Sequence, residues 1–249
     1  MAVLIPQYIE DRIRRPIPAD SHVVAGSTPV ISFGNFQTSC VATLGLNPSK
    51  IEFLQKSGEL LRGAQRRLAT HESLGLTDLT TAPLRKVMEV FEECNGYFQR
   101  QPYRGWFDQL MPMLGGCGGS YYDGSACHLD LIQWATDPTW GDLDRDIRDQ
   151  LLAEDARFLA RQLQSENLRL MLVNGKSAWK HLVKRMAGEL QFEEVEPITG
   201  LAHCDTRLFV GNIVGHVRVV AWSTNIQSSF GVTTALRQEL ARRIAVHAR

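Results

Sequence analysis

A three-layer α/β/α sandwich with a central, mostly parallel four-stranded sheet is the fold this sequence predicts. Short apolar runs alternate with stretches of helical period from residue 41 to residue 246, the order in which crossover helices connect parallel strands. The first of them, Val41 to Leu44, is mostly small or β-branched and reads as a buried strand. With 44% apolar and 22% charged residues over 249 positions, the chain carries enough apolar mass for a substantial core and no tract suggesting disorder.

Residues 1–29, rich in Pro and charge, predict an irregular leader, and residues 30–249 a single domain. Residues 30–33 read as a short edge strand, and Val41-Ala42-Thr43-Leu44 as the first core strand. From about residue 51 to 114 the period turns helical: Leu60, Leu61, Ala64 and Leu68 share a face, as do Val87, Val90, Phe91 and Cys94, then Trp106, Leu110 and Leu114. Gly115-Gly116-Cys117-Gly118-Gly119 ends it. Residues 127–132 form the second core strand, followed by a helix over roughly 143–164. A third strand, 168–173, runs into Asn174-Gly175 and a helix at 177–186. Residues 192–197 and 204–210 pattern as a hairpin, 217–221 as the fourth core strand, and 233–246 as a terminal helix.

Charge and cysteine narrow the function classes. Lys plus Arg equals Asp plus Glu at 27 each, so any polyanion must meet a local patch. The first residues carry acids early, unlike a secretory signal, and no apolar run approaches the roughly 20 residues of a membrane span. The five cysteines are scattered without a C-x-x-C pair, which indicates neither zinc, nor an iron–sulfur cluster, nor a disulfide framework. The expectation is a cytoplasmic monomer without membrane, metal or cofactor.

The most informative stretch is Gly45-Leu46-Asn47-Pro48. It ends the first core strand and presents one amide side chain where ligands bind in parallel α/β sheets. An ordinary strand-ending turn also fits these residues. The phrase resembles the first motif of the uracil-DNA glycosylase superfamily in its Gly-x-Asn-Pro version. Two further segments stand at the matching strand ends in the matching order: His128-Leu129-Asp130, where the family has a base-reading residue, usually Asn, and the loop 222–231, where it has a His-Pro-Ser loop that enters the minor groove. The family's fold is the α/β/α sandwich with a four-stranded parallel sheet.

The resemblance implies roles residue by residue. Asn47 would hold the attacking water, although an amide cannot be a general base near neutral pH. Catalysis would then rest on positioning and electrostatics. Phe53 is the stacking face by similarity, or a plain core aromatic. Gly45, Tyr121 and His128 complete the expected base-binding set; packing in the core or at the surface for Tyr121, and a role as partner of Asp130 for His128, are the other readings. Asp130 departs from the family's Asn: an ionised carboxylate only accepts, which suits a ring with an exocyclic amine such as cytosine and opposes uracil O4. It reads equally as a salt-bridged strand-end aspartate. The late loop lacks the family's His, leaving Asn225 or Gln227 to donate to the leaving base. Ser228 and Ser229 would meet phosphate and Phe230 or Ile226 would wedge into the gap, or the loop simply caps the last helix. Lys176 and Lys180, one turn apart after the third strand, and Arg66 are the candidate phosphate contacts; a solvated face is the alternative.

The expected function is thus a monofunctional DNA glycosylase acting on a flipped pyrimidine. Excising plain cytosine would damage the host's own DNA, so the expectation leans to a modified cytosine in foreign, for example phage, DNA. Repair of uracil or an oxidised pyrimidine, a catalytically silent nucleic-acid-binding protein of the same fold, and an enzyme of free nucleosides are the alternatives.

Overall fold

The computed structural model describes residues 5–155, 157–213, 216–227 and 231–248. In chain order its elements are α1 (Gln7–Arg14), β1 (Val41–Gly45), α2 (His71–Leu74), α3 (Leu84–Asn95), α4 (Arg104–Phe107), α5 (Met111–Gly116), β2 (Ala126–Asp130), α6 (Arg145–Glu154), α7 (Phe158–Gln162), β3 (Leu170–Asn174), α8 (Lys176–Arg185), β4 (Leu190–Ile198), β5 (Thr206–Ile213), β6 (Val217–Trp222) and α9 (Thr234–His247).

The fold is mixed α/β, around one sheet of six strands, not four, in the order β2-β1-β3-β6-β5-β4. Its first four strands run parallel. Val41 to Leu44 pair with Leu170 to Val173, and Leu170 to Asn174 pair with Arg218 to Trp222. Beside β2, the N–H groups of Cys40 and Val41 donate to the Ser125 carbonyl at the start of the pair. These four are the predicted core strands. The predicted hairpin supplies the other two, because β5 adds antiparallel to β6 and β4 antiparallel to β5. Gly211 is required there, since a Cβ would meet the Gln191 carbonyl oxygen at 2.3 Å. β4 closes the sheet as an edge carrying exposed Glu193, Glu194 and Glu196, charge that discourages further pairing.

Three other expectations are corrected. The leader holds α1, whose Ile9 and Ile13 are fully buried. Residues 30–33 are buried but form no regular strand: the Val30 N–H reaches the Gln133 carbonyl instead of a ladder. Residues 51–70 form no α-helix but 3-10 turns and a bridge between Leu54 and Leu60, because Gly58 and Gly63 adopt positive φ of 87° and 54°, outside the helical region.

Two compact units share the chain: Met1–Phe33, Leu46–Pro102 and Asp130–Leu159 form unit one, while Gly34–Gly45, Tyr103–Leu129 and Ala160–Arg249 form unit two. In unit one, α1 packs on α3, and a fully buried ion pair joins Arg12 Nε to Asp155 Oδ1 at 2.7 Å. The Gln133 N–H donates to the other Asp155 oxygen at 3.0 Å. Unit two holds the sheet, with α8 against β3 and β6, and α5 against α9. No helix among the described residues is long and apolar enough to cross a membrane.

Candidate functional site

Asn47 stands two residues beyond β1, half-buried. Its Nδ2 donates to the Trp134 carbonyl and to Thr136 Oγ1, both at 3.2 Å. This fixes the orientation of the amide, since the reverse would set Oδ1 against a carbonyl oxygen. Oδ1 accepts no hydrogen bond among the described residues. The side chain is therefore a pinned acceptor that a water can meet. Pro48 and Ser49 then turn the chain, with Ser49 Oγ accepting from the Ile51 N–H, into a 3-10 turn over Lys50–Glu52.

That turn carries two side chains inward. Phe53 is 1% exposed and so is packed as a core aromatic, with no open face for a base in this conformation. Glu52 is 2% exposed and accepts the Tyr97 hydroxyl at 2.7 Å. Burial pushes its carboxyl up to about 7, against the Tyr97 hydrogen bond and the Arg67 charge, and the Asp130 charge adds to the rise. Glu52 and Asp130 are thus two carboxyl groups within electrostatic reach in unit one. Asp130 is buried at the end of β2, and its carbonyl accepts from Gln133 Nε2 at 2.8 Å.

In unit two the middle of β1 and β2 carries a relay of buried polar groups. Thr43 Oγ1 lies 2.5 Å from the Tyr121 hydroxyl and 2.7 Å from His128 Nδ1. Phe107 meets both rings edge-on, at 5.6 and 5.3 Å between centroids. Tyr121 is wholly buried and His128 nearly so, which makes both parts of the core of this unit. Gly45, the last residue of β1, is half-buried.

A second strand end, that of β3, organises the late loop. Asn174 Nδ2 donates to Asn225 Oδ1 and Gln227 Oε1, both at 2.8 Å. Its own Oδ1 accepts from Trp222 Nε1 at 2.9 Å and from the Ile226 N–H at 3.1 Å. Gln227 Nε2 continues to the Trp106 carbonyl at 3.1 Å. Gln227 is therefore a strut of the loop, whereas the Asn225 amide nitrogen, on an exposed residue, has no partner among the described residues. Gly175 allows this approach: its φ is +91°, and a Cβ there would lie 3.2 Å from Asn225 Cβ. Ser228, Ser229 and Phe230 lie outside the described residues.

The candidate phosphate contacts divide. Lys176 and Lys180 are exposed on α8 and make no ion pair among the described residues. Arg66 is engaged with nearly buried Glu93 at 2.5 Å, and Arg100 pairs with the same carboxylate at 3.0 Å. Arg66 is thus a structural partner in unit one. The five cysteines are free, and among the described residues no group of three or more His, Cys, Asp or Glu is placed to hold a metal ion.

Glu52, Tyr97, Thr43 and Asn174 were not marked by the sequence as site residues. Asn174-Gly175 after a core strand is a signal of the same kind as Asn47-Pro48 and points to Asn174. Nothing in the sequence marks Glu52. No protein-family model matches this chain, and no curated protein matches it.

Proposed function

We propose that the protein is a monofunctional DNA glycosylase of the uracil-DNA glycosylase type, built on a three-layer α/β/α frame and acting as a cytoplasmic monomer. It hydrolyses the N-glycosidic bond of a flipped pyrimidine, with a lean to a modified cytosine of foreign DNA. The observation that carries the reading is Asn47: an amide fixed by two hydrogen bonds, its carbonyl oxygen left as an acceptor. It follows a parallel strand at the position the Gly-x-Asn-Pro phrase leads one to expect.

In this reading Oδ1 of Asn47 accepts a hydrogen bond from the attacking water and aims its oxygen at the sugar carbon C1′. As the new C–O bond forms, the C1′–N bond breaks and the base leaves with the electron pair of that bond, its charge met by hydrogen-bond donors; the proton lost by the attacking water passes to solvent, and the freed base takes up one proton in exchange. Of the two donors proposed for this task, the Asn225 amide nitrogen has no partner among the described residues and Gln227 is tied to Asn174 and Trp106.

The burial of Phe53 and the engagement of Gln227 favour one second reading, a nucleic-acid-binding protein of this fold without catalysis. Incubation with DNA duplexes and single strands carrying uracil or modified cytosines, followed by alkali, separates the two. Strand breaks at the modified position support the glycosylase. Binding without abasic sites on any substrate of the panel leaves the silent reading.

A further inference from the structure

A cavity of about 540 Å³ lies wholly within unit two, between the first turns of α8, the β4–β5 hairpin and the residues following β6. Its size falls within the ordinary range for small-molecule sites, and its walls are of two kinds. Lys176 and Lys180 bring ammonium groups; Trp179, Phe192 and Phe209 bring aromatic rings. Trp179 stacks on Phe209 with centroids 4.9 Å apart and planes at 18°, and Phe192 stands edge-on to Trp179 at 4.9 Å. The first two rings are buried against each other, but Phe192 is 45% exposed. A single exposed ring means little by itself. Here it borders a concave space together with two cations that make no ion pair among the described residues.

The remaining charges decide where an anion would sit. The Arg207 guanidinium is matched by both oxygens of Glu194 and lies 5.2 Å from the centre of the Phe209 ring, so it forms a fixed wall rather than a free anion partner. Asp205 places an acceptor on the same rim. Ser223 Oγ accepts from the Arg207 N–H at 3.0 Å, which leaves its hydroxyl hydrogen for another partner. An anion is therefore directed to the lysine side, a flat ring to Phe192, and hydroxyl or amine groups to Ser223 and Asp205. Inorganic anions make no use of the aromatic wall, and a fatty acid makes none of the polar rim.

We propose that this cavity binds a nucleoside phosphate, its base against Phe192 and its phosphate between Lys176 and Lys180. Stacking on an aromatic side chain tolerates any base, because every base has a π-face. The same unit occurs in a free nucleotide and in a single DNA strand. The inference goes beyond base excision and does not use Asn47, Asp130 or Asn225.

Calorimetric titration of the full chain with 2′-deoxyadenosine 5′-phosphate, deoxyadenosine, inorganic phosphate and a short single-stranded oligonucleotide tests it. The nucleotide is expected to bind, and deoxyadenosine and phosphate each at least about tenfold more weakly, since each lacks one half of the recognition. Lys180→Ala and Phe192→Ala alter exposed side chains and should each weaken nucleotide binding by roughly tenfold, with circular dichroism confirming the fold. Should one variant misfold, the other decides. If only the oligonucleotide binds, with the same two dependences, the nucleotide belongs to a strand. Binding unchanged in a folded variant, phosphate or deoxyadenosine as tight as the nucleotide, or no binding of either nucleotide form overturns the proposal. Asn47→Ala is expected to bind the nucleotide like wild type, so loss of base excision and loss of this site remain separate results.

Discussion

Tyr97 donates its hydroxyl hydrogen to Glu52 Oε2 at 2.7 Å, and neither side chain is more than 2% exposed. Burial dominates the carboxyl and lifts it from 4.5 to about 7. The folded protein then binds a proton that the unfolded chain releases near pH 4.5, so this group lowers stability as pH rises from about 4.5 to 7. The full effect above pH 7 is about 3 kcal/mol, at 1.36 kcal/mol per unit. Glu52→Gln keeps an acceptor for Tyr97 and removes the titration. Urea unfolding at pH 5 and pH 8 should show the variant gaining stability relative to wild type at the higher pH. A difference between the two proteins that does not change with pH contradicts the shift.

Asn47→Ala is expected to keep the fold while excision falls by about 10²-fold or more, the usual cost of removing one preorganised polar group. Losing the two hydrogen bonds to Trp134 and Thr136 should lower stability by about 1–2 kcal/mol. Single-turnover cleavage of a confirmed substrate is the measurement. A wild-type rate in the variant removes the main support of the glycosylase reading.

Asn174 makes four hydrogen bonds with the segment 222–227. Asn174→Ala should therefore cost about 2–4 kcal/mol, because it orphans the buried Trp222 N–H as well as releasing Asn225 and Gln227. Denaturant midpoints test this, and a loss under about 0.5 kcal/mol would mean that the loop is held elsewhere.

How much of this was legible in the sequence follows from burial. β1, β3 and β6 are buried along nearly all their length, so each shows as a largely apolar run, while β2, equally buried, carries His128 and Asp130 between its apolar residues. The β4–β5 hairpin was legible as a hairpin but not as part of the sheet, since Glu193, Glu194 and Glu196 give its edge strand a surface composition. In α1, buried Arg12 interrupts an otherwise apolar face, and only its ion pair with Asp155 makes that position an interior one. The turn that carries Asn47 was legible because a turn after a strand is a local pattern. Glu52 was not: its burial comes from Tyr97, 45 positions away in sequence, and no local pattern encodes that.

The two sets of basic residues should separate in salt titrations of DNA binding. Lys176→Ala with Lys180→Ala is expected to flatten the slope of log K against log salt by about 1.4–1.8 units if each contacts a phosphate, at about 0.7–0.9 per contact. Arg66→Ala should leave the slope intact and instead lower stability by about 1–3 kcal/mol, because nearly buried Glu93 keeps only Arg100 as an ion-pair partner among the described residues. A slope unchanged in the double lysine variant removes this patch from DNA recognition.

Asp130 carries the prediction with the most chemical content. If Asp130 reads a base edge as an acceptor, activity should require an exocyclic amine at the pyrimidine 4-position, while groups at the 5-position should act separately through the room around them. Its burial at the end of β2 strengthens the discrimination, because a mismatched polar pair away from water costs its full desolvation. Asp130→Asn replaces one acceptor oxygen by a donor amide, so preference should move toward a 4-carbonyl base such as uracil by roughly 1–3 kcal/mol. Wild type and variant, run together on matched 4-amino and 4-oxo substrates, give that shift as a ratio of kcat/KM values. A wild-type protein that excises uracil and ignores every cytosine derivative sinks the cytosine reading and leaves base excision standing. An unchanged ratio in the variant means that Asp130 does not read the base, and its carboxylate then belongs to the same buried acidic environment that raises Glu52.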